Sequence, residues 1–202
     1  MEVEAQPKKE IPVIAVEFIY DPAFHPDWYK KGETARRISP NDVRRYLEIV
    51  KRQWEAFRQP ISENIQQVLE VPIPFLWQKL TCHIADRQIR IGENNILRAF
   101  SEPLSISMIH PDSKWGFLPF FGDLAHELGH KFIFYNQPVL EILEDETARE
   151  DFPHPSDFWT KPVKIRDEFV VRRATYKILT NCFGEEFADW FKSTESKEVL
   201  PL

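Results

Sequence analysis

Residues 117–133 constrain the fold most strongly, because they combine a run of apolar side chains with two histidines and a glutamate. The apolar side chains recur at helical spacing, which predicts a largely buried helix over residues 120–135. Its middle contains His126, Glu127 and His130. A buried polar group without a partner costs about 2–7 kcal/mol, so the fold must supply partners for these side chains.

The spacing of the two histidines indicates a metal site. His126 and His130 are four residues apart, so on a helix they lie on one face, one turn apart, and can bind the same ion. Glu127 lies beside the first histidine, where its carboxylate can reach a water on the metal rather than the metal itself. One zinc ion per chain is the predicted cofactor. The alternative, a helix surface with two solvated histidines, is disfavoured by the apolar flanks.

Gly129 gives a second indication about this helix. Glycine inside a helix is about 1 kcal/mol less favourable than alanine. Its presence between the two histidines predicts a close approach of the helix to a strand or to the metal.

Through His126-Glu127-Leu128-Gly129-His130 the chain resembles the zincin metallopeptidases. The resemblance covers about residues 80–180 and implies an α+β fold. That fold has a small, mostly antiparallel sheet, then the HExxH helix, then a later helix that carries the third zinc ligand. The length of 202 residues suits a single domain. Residues 80–202 would form the zincin-like core, and residues 1–79 an N-terminal strand and helical part.

Zincins differ in their third zinc ligand. The metzincin pattern has a glycine and a histidine where this chain has Ile133 and Asn136, so that class is excluded. SprT-like proteases use a downstream histidine, and here only His154, between Pro153 and Pro155, could correspond to it. Gluzincins use a glutamate on a later helix.

Glu168 is the third ligand that the gluzincin resemblance favours. It lies 38 residues after His130, near the start of a predicted helix over residues 167–180. A carboxylate ligand also suits a two-histidine catalytic site. The alternatives that stay open are His154, Asp167 and the carboxylates of residues 141–150.

Arg172 departs from the gluzincin pattern. Several such families have a carboxylate or amide four residues after the glutamate, and the carboxylate orients a zinc histidine. Arg172 can instead form an ion pair with Glu168 across one helical turn, which is an alternative role for both residues. The residue that orients the histidines is therefore not assigned.

The resemblance implies a zinc-dependent peptidase in which water takes the open fourth position on zinc. Glu127 would take a proton from this water and deliver it to the leaving amine. Residues 104–109 would form the strand that pairs with an extended peptide substrate. The candidates for an oxyanion-stabilising donor are Tyr176, which is preferred, Tyr135, Arg173 and His110.

Patterning predicts the remaining elements. Pro60 is expected to end the first helix, and the acidic, proline-containing loop over residues 141–164 is expected to border the cleft. The predicted strands cover residues 11–20 and three segments within residues 80–109. The other predicted helices cover residues 41–58, 61–71 and 185–191, and a loop covers residues 21–37.

Charge and cysteine content restrict the partners. The net charge is −6, so no global basic field attracts nucleic acid. The cationic side chains of helix 41–58 alternate with Glu48 and Glu55, which is typical of a solvated face. No segment suits a membrane span, and the two cysteines form no close pair. A cytoplasmic protein that acts on peptides or proteins is expected.

Two functions compete. The first is a zinc-dependent metallopeptidase with Glu127 as general base. The second is a zinc-binding regulatory module of the same fold that cleaves slowly or not at all. A closed structural site with four protein ligands is a further possibility, which a bound water would exclude.

Overall fold

The structure, a computed structural model, describes residues 12–30, 32–76, 78–91, 95–97, 99–109 and 111–194. Two short 3-10 helices cover Asp27–Lys30 and Ile133–Tyr135. The α-helices are α1 Pro40–Leu69, α2 Ile73–Leu76, α3 Leu118–Phe132, α4 Gln137–Glu150, α5 Pro155–Trp159, α6 Val163–Phe183 and α7 Glu185–Thr194. The strands are β1 Val16–Ile19, β2 Glu33–Arg37, β3 Leu80–Ala85, β4 Arg87–Ile91, β5 Asn95–Leu97, β6 Ala99–Ser101 and β7 Leu104–Ser107.

The described strands form two small sheets within a mixed helical and strand architecture, compatible with the α+β class. One sheet has the order β1-β3-β7-β6, and the other has the order β2-β4-β5. The smaller sheet is antiparallel, and of the three predicted strands it contains only the one within β4. In the larger sheet, β1 and β7 both run parallel to β3, and only β6 is antiparallel to its neighbour. The expectation of a mostly antiparallel sheet was therefore wrong for the larger sheet, because α1 connects β1 to β3 as a crossover, which makes the two strands parallel.

The N-terminal part contains a strand that the pattern did not predict. Residues 21–37 were expected to form a loop, but β2 lies within them. Four of its five residues are exposed, so β2 shows no alternation of apolar and polar side chains. Pairing with β4 forms this strand, and such pairing is not visible in a local pattern.

Helix α1 continues through Pro60, so the predicted end at that residue was wrong. The apolar positions continue in register beyond it, since Ile61, Ile65 and Leu69 are all buried. The carbonyl of Pro60 accepts a hydrogen bond from the side-chain amide of Asn64 at 2.9 Å. Burial of the apolar face thus outweighs the hydrogen bond that a proline removes from a helix interior.

The predicted loop over residues 141–164 is mostly helical, as α4 and α5. Asn136 caps α4 by accepting a hydrogen bond from the backbone N–H of Val139 at 3.5 Å. Leu140 and Leu143 then face the core. The acidic character of α4 has a structural reason, because Glu146 pairs with Lys177 of α6. The segment expected to be a loop is therefore mostly packed helix.

The central helix α3 contacts the larger sheet on one side and α1 and α6 on the other. The predicted helix over residues 120–135 is confirmed, as α3 and the 3-10 helix that follows it. The predicted helices over residues 167–180 and 185–191 lie within α6 and α7. Gly122 lets α7 approach α3 closely. A Cβ atom at this position would lie 2.4 Å from a ring carbon of Phe191.

The contact at Gly122 predicts the effect of adding one methyl group. For Gly122→Ala we expect the free energy of unfolding to fall by roughly 1–2 kcal/mol, because overpacking outweighs the better helix propensity of alanine. Urea denaturation measures this change. The double variant Gly122→Ala, Phe191→Leu should recover part of the loss. A single variant as stable as the wild type would contradict the tight contact.

Candidate metal centre

The candidate site forms where α3 and α6 cross. A Cβ atom on Gly129 would lie 3.1 Å from Cγ1 of Val171, so α6 packs against α3 at the glycine. Glu168 lies one turn before Val171 on the same face of α6. The crossing therefore brings this carboxylate to the two histidines of α3. The close approach expected from Gly129 is made by a helix rather than by a strand.

Three ligand atoms lie at distances that suit one ion. The two Nε2 atoms of His126 and His130 are 3.2 Å apart. Oε2 of Glu168 is 3.1 Å from Nε2 of His130, and Oε1 is 3.6 Å from Nε2 of His126. Ligand atoms around tetrahedral zinc are roughly 3.4 Å apart, given bond lengths of about 2.0–2.2 Å. These residues therefore form a group that could hold a metal ion.

The group is neither sealed nor fully solvated. The side chains of His126, His130 and Glu168 are 13%, 23% and 22% exposed, so all three are partly accessible to solvent. A site with three protein ligands and solvent access leaves a coordination position for water, whereas a structural site is closed by four protein ligands.

Glu168 is held as a carboxylate by its neighbours. Burial raises its pKa, but hydrogen bonds with His126 and His130 and the charge of Arg172 outweigh burial and hold the pKa well below its usual range. Nε of Arg172 donates to Oε1 at 2.8 Å, while Oε2 faces His130. Oε1 thus contacts Arg172 and lies near His126, while Oε2 lies at His130, so the ion pair with the arginine leaves the carboxylate at the two histidines.

Glu127 lies outside the group of three, as expected for a base rather than a ligand. Its residue is 6% exposed, and burial raises its pKa to about 7 against the opposing effect of the two histidines. Asp123, one turn earlier on α3, is 7% exposed and raises this pKa further. The sequence reasoning did not consider Asp123, although an acidic residue within so apolar a helix was a visible signal.

The described oxyanion candidates are engaged elsewhere. The hydroxyl of Tyr176 donates to Asp189 of α7 at 2.9 Å, and Tyr176 lies eight residues, roughly 12 Å along the axis, beyond Glu168 on α6. Tyr135 stacks on Phe75 with ring centroids 4.2 Å apart. The placement therefore gives no support to Tyr176 or Tyr135 as the donor.

The structure gives no support to the other two oxyanion candidates either. Arg173 pairs with Glu146, Glu150 and Asp151, which ties α6 to α4 and to the residue that follows it. His110 lies outside the described residues.

The alternative third ligands lie outside the group. His154 is exposed at the start of α5, and burial raises the pKa of Asp167 beside Glu168. Within the described part of the chain, the group of possible ligands contains neither of them and no carboxylate of α4.

The strand proposed to pair with substrate is enclosed. Residues 104–107 form β7, which lies between β3 and β6 and is hydrogen-bonded to both, so it offers no free edge. The expectation for residues 104–109 is therefore corrected. Among the described strands, β6 is the edge of this sheet on the side that contacts α3.

No protein family model, curated protein or solved structure matches the chain. Functional assignment therefore depends on the chemistry of the site. Across the described residues, no helix combines the length and the apolar character that a membrane crossing needs.

The geometry predicts which residue is the third ligand. Glu168→Ala should weaken zinc binding by more than about 100-fold, because it removes a ligand rather than an outer-shell contact. His154 is exposed just before α5, so His154→Ala should leave the zinc affinity unchanged. Competition with a chromophoric chelator measures both affinities, and circular dichroism controls for folding. Loss of zinc in His154→Ala with retention in Glu168→Ala would replace the assignment by a three-histidine site.

Proposed function

We propose that the protein is a zinc-dependent metallopeptidase of the gluzincin type, with His126, His130 and Glu168 as the zinc ligands. The observation that carries the proposal is the position of Glu127. A buried carboxylate lies next to a group of three partly exposed residues that could hold a metal ion, but it is not part of that group. A structural metal site has no use for such a base.

The role of Glu127 follows from its surroundings. Zinc, when bound, would act as a Lewis acid towards the peptide carbonyl and the attacking water. A pKa of about 7 allows Glu127 to take a proton from water and to return it to the leaving amine near neutral pH. The apolar surroundings of α3 raise this pKa by disfavouring the charged form.

Peptide is the proposed substrate class because of the strand next to α3. Strand β6 has a neighbour on one side only among the described strands, so its other side can pair with an extended chain. Its contact with α3 would direct such a chain along the helix that carries Glu127. The two cysteines are free, which suits a reducing compartment such as the cytoplasm.

One observation favours the second candidate, a zinc-binding regulatory module with slow or no cleavage. Among the described residues, the hydroxyl of Tyr176 and the guanidinium group of Arg173 bond to carboxylates away from the metal group. A peptidase needs a donor for the oxyanion, and its loss costs about 100- to 1000-fold in rate.

Glu127→Gln separates the two candidates. The amide cannot accept a proton, so we expect zinc affinity and folding to be retained while cleavage falls by at least about 100-fold. A library of internally quenched peptides provides the activity, and metal analysis of the same preparation provides the zinc content. Glu144→Gln, a substitution on α4, is the matched control. A wild-type protein that binds zinc without cleaving any peptide would favour the regulatory module, and unchanged cleavage by Glu127→Gln would exclude Glu127 as the base.

A further inference from the structure

A concave surface lies away from the metal group. A groove of about 460 Å³ is bounded by the end of β2, the first turns of α1, the residue after β7 and the residue before α3. Phe117 lines it and precedes His126 by nine residues, roughly 13 Å along α3. The groove contains none of the metal ligands, so a ligand there would be independent of the proposed peptidase chemistry.

The rim of the groove is cationic. Arg36 and Arg37 of β2 and Arg45 of α1 line it, and all three are exposed. No ion pair is formed by any of the three within the part of the chain that the structure describes. The one carboxylate of the groove, on Asp42, accepts a hydrogen bond from the hydroxyl of Ser39 at 2.7 Å.

This local charge opposes that of the whole chain. Three guanidinium groups face one carboxylate in the groove, whereas the net charge of the chain is −6. Like charges held close together repel, and an anionic ligand relieves this repulsion.

The floor of the groove is apolar and fixed. Ile49 is 38% exposed, and Met108 and Phe117 are half-buried. Tyr46 packs on Phe117 with ring centroids 5.6 Å apart, and its hydroxyl accepts a hydrogen bond from the backbone N–H of Ile109 at 3.3 Å. A bare anion would leave this apolar surface in water, whereas a ligand with an apolar side chain would cover it.

We propose that the groove binds an acidic peptide segment of a partner protein. An apolar side chain of the segment packs against Ile49, Met108 and Phe117, and flanking carboxylates pair with the arginines. Arginine forms bidentate pairs with carboxylates, which favours this partner geometry. A nucleic acid is disfavoured because its many phosphates meet the net negative charge of the chain.

The test measures binding by fluorescence anisotropy of a labelled peptide in which glutamates alternate with leucine and phenylalanine. Each exposed ion pair contributes modestly to affinity, so replacing all three arginines together should weaken binding by about tenfold or more. The variant is Arg36→Gln, Arg37→Gln, Arg45→Gln. The matched control is Lys51→Gln, Arg52→Gln, Arg58→Gln, which removes the same charge from another part of α1 and should retain the wild-type affinity.

Two further arms test the chemistry of the occupant. The variant Ile49→Asp places a carboxylate on the apolar floor and should weaken binding of the acidic peptide. A second peptide, with glutamine in place of each glutamate, should bind the wild-type protein poorly. Raised salt should also weaken binding of the acidic peptide.

Four outcomes overturn the proposal. The first is that the wild-type protein does not bind the acidic peptide at millimolar concentration. The second is that the glutamine peptide binds as well as the acidic peptide, and the third is that the control variant loses as much affinity as the triple arginine variant. The fourth is displacement of the peptide by inorganic phosphate at the same concentration, which would make the groove a simple anion site. None of these measurements requires zinc or cleavage, so their failure is distinct from failure of the proposed peptidase function.

Discussion

The contact between Gly129 of α3 and Val171 of α6 is the constraint on which the candidate site depends. Any larger side chain at position 129 would have to displace Val171, since even a Cβ atom would lie 3.1 Å from it. The two helices contribute their ligands from opposite sides of this crossing. Ligand atoms separated by 38 residues in sequence thereby lie within hydrogen-bonding distance.

Burial and charge act together at this crossing. The apolar face of α3 supplies a large part of the core, with Phe120, Phe121, Leu124 and Leu128 all buried. The same helix carries Asp123 and Glu127 at low exposure. Ionisable groups at such depth are costly unless compensated, and they concentrate where a protein needs shifted pKa values. The helix that stabilises the core thus also carries the side chains least suited to a core.

The sequence predicted the grouping of His126, His130 and Glu168 better than the path of the chain around them. Residue spacing placed His126 and His130 on one helix face, and the family resemblance pointed to Glu168, which the structure brings to them. Local rules failed where a tertiary contact decided the outcome. Pro60 does not end α1 because the buried face continues, and β2 exists because β4 pairs with it.

Two other errors have the same origin. The acidic and proline-containing composition of residues 141–164 concealed α4, whose Pro138 lies in the first turn, where proline is favourable. The position of β7 inside the sheet depends on its pairing with both β3 and β6, which no local pattern specifies. For Tyr176 the sequence offered no spatial criterion; its hydroxyl bonds to Asp189, and its role as oxyanion donor stays a prediction.

The contact between Arg172 and Glu168 has a consequence for the order of folding and metal binding. The arginine holds the carboxylate in place through Oε1, and the continuous apolar core holds α3 against α6. Folding therefore does not wait for the ion, in contrast to small zinc domains that are unfolded without it. Under the proposed function, the chain would fold first and acquire its metal afterwards, so metal supply in the cell would control its chemistry without controlling its abundance.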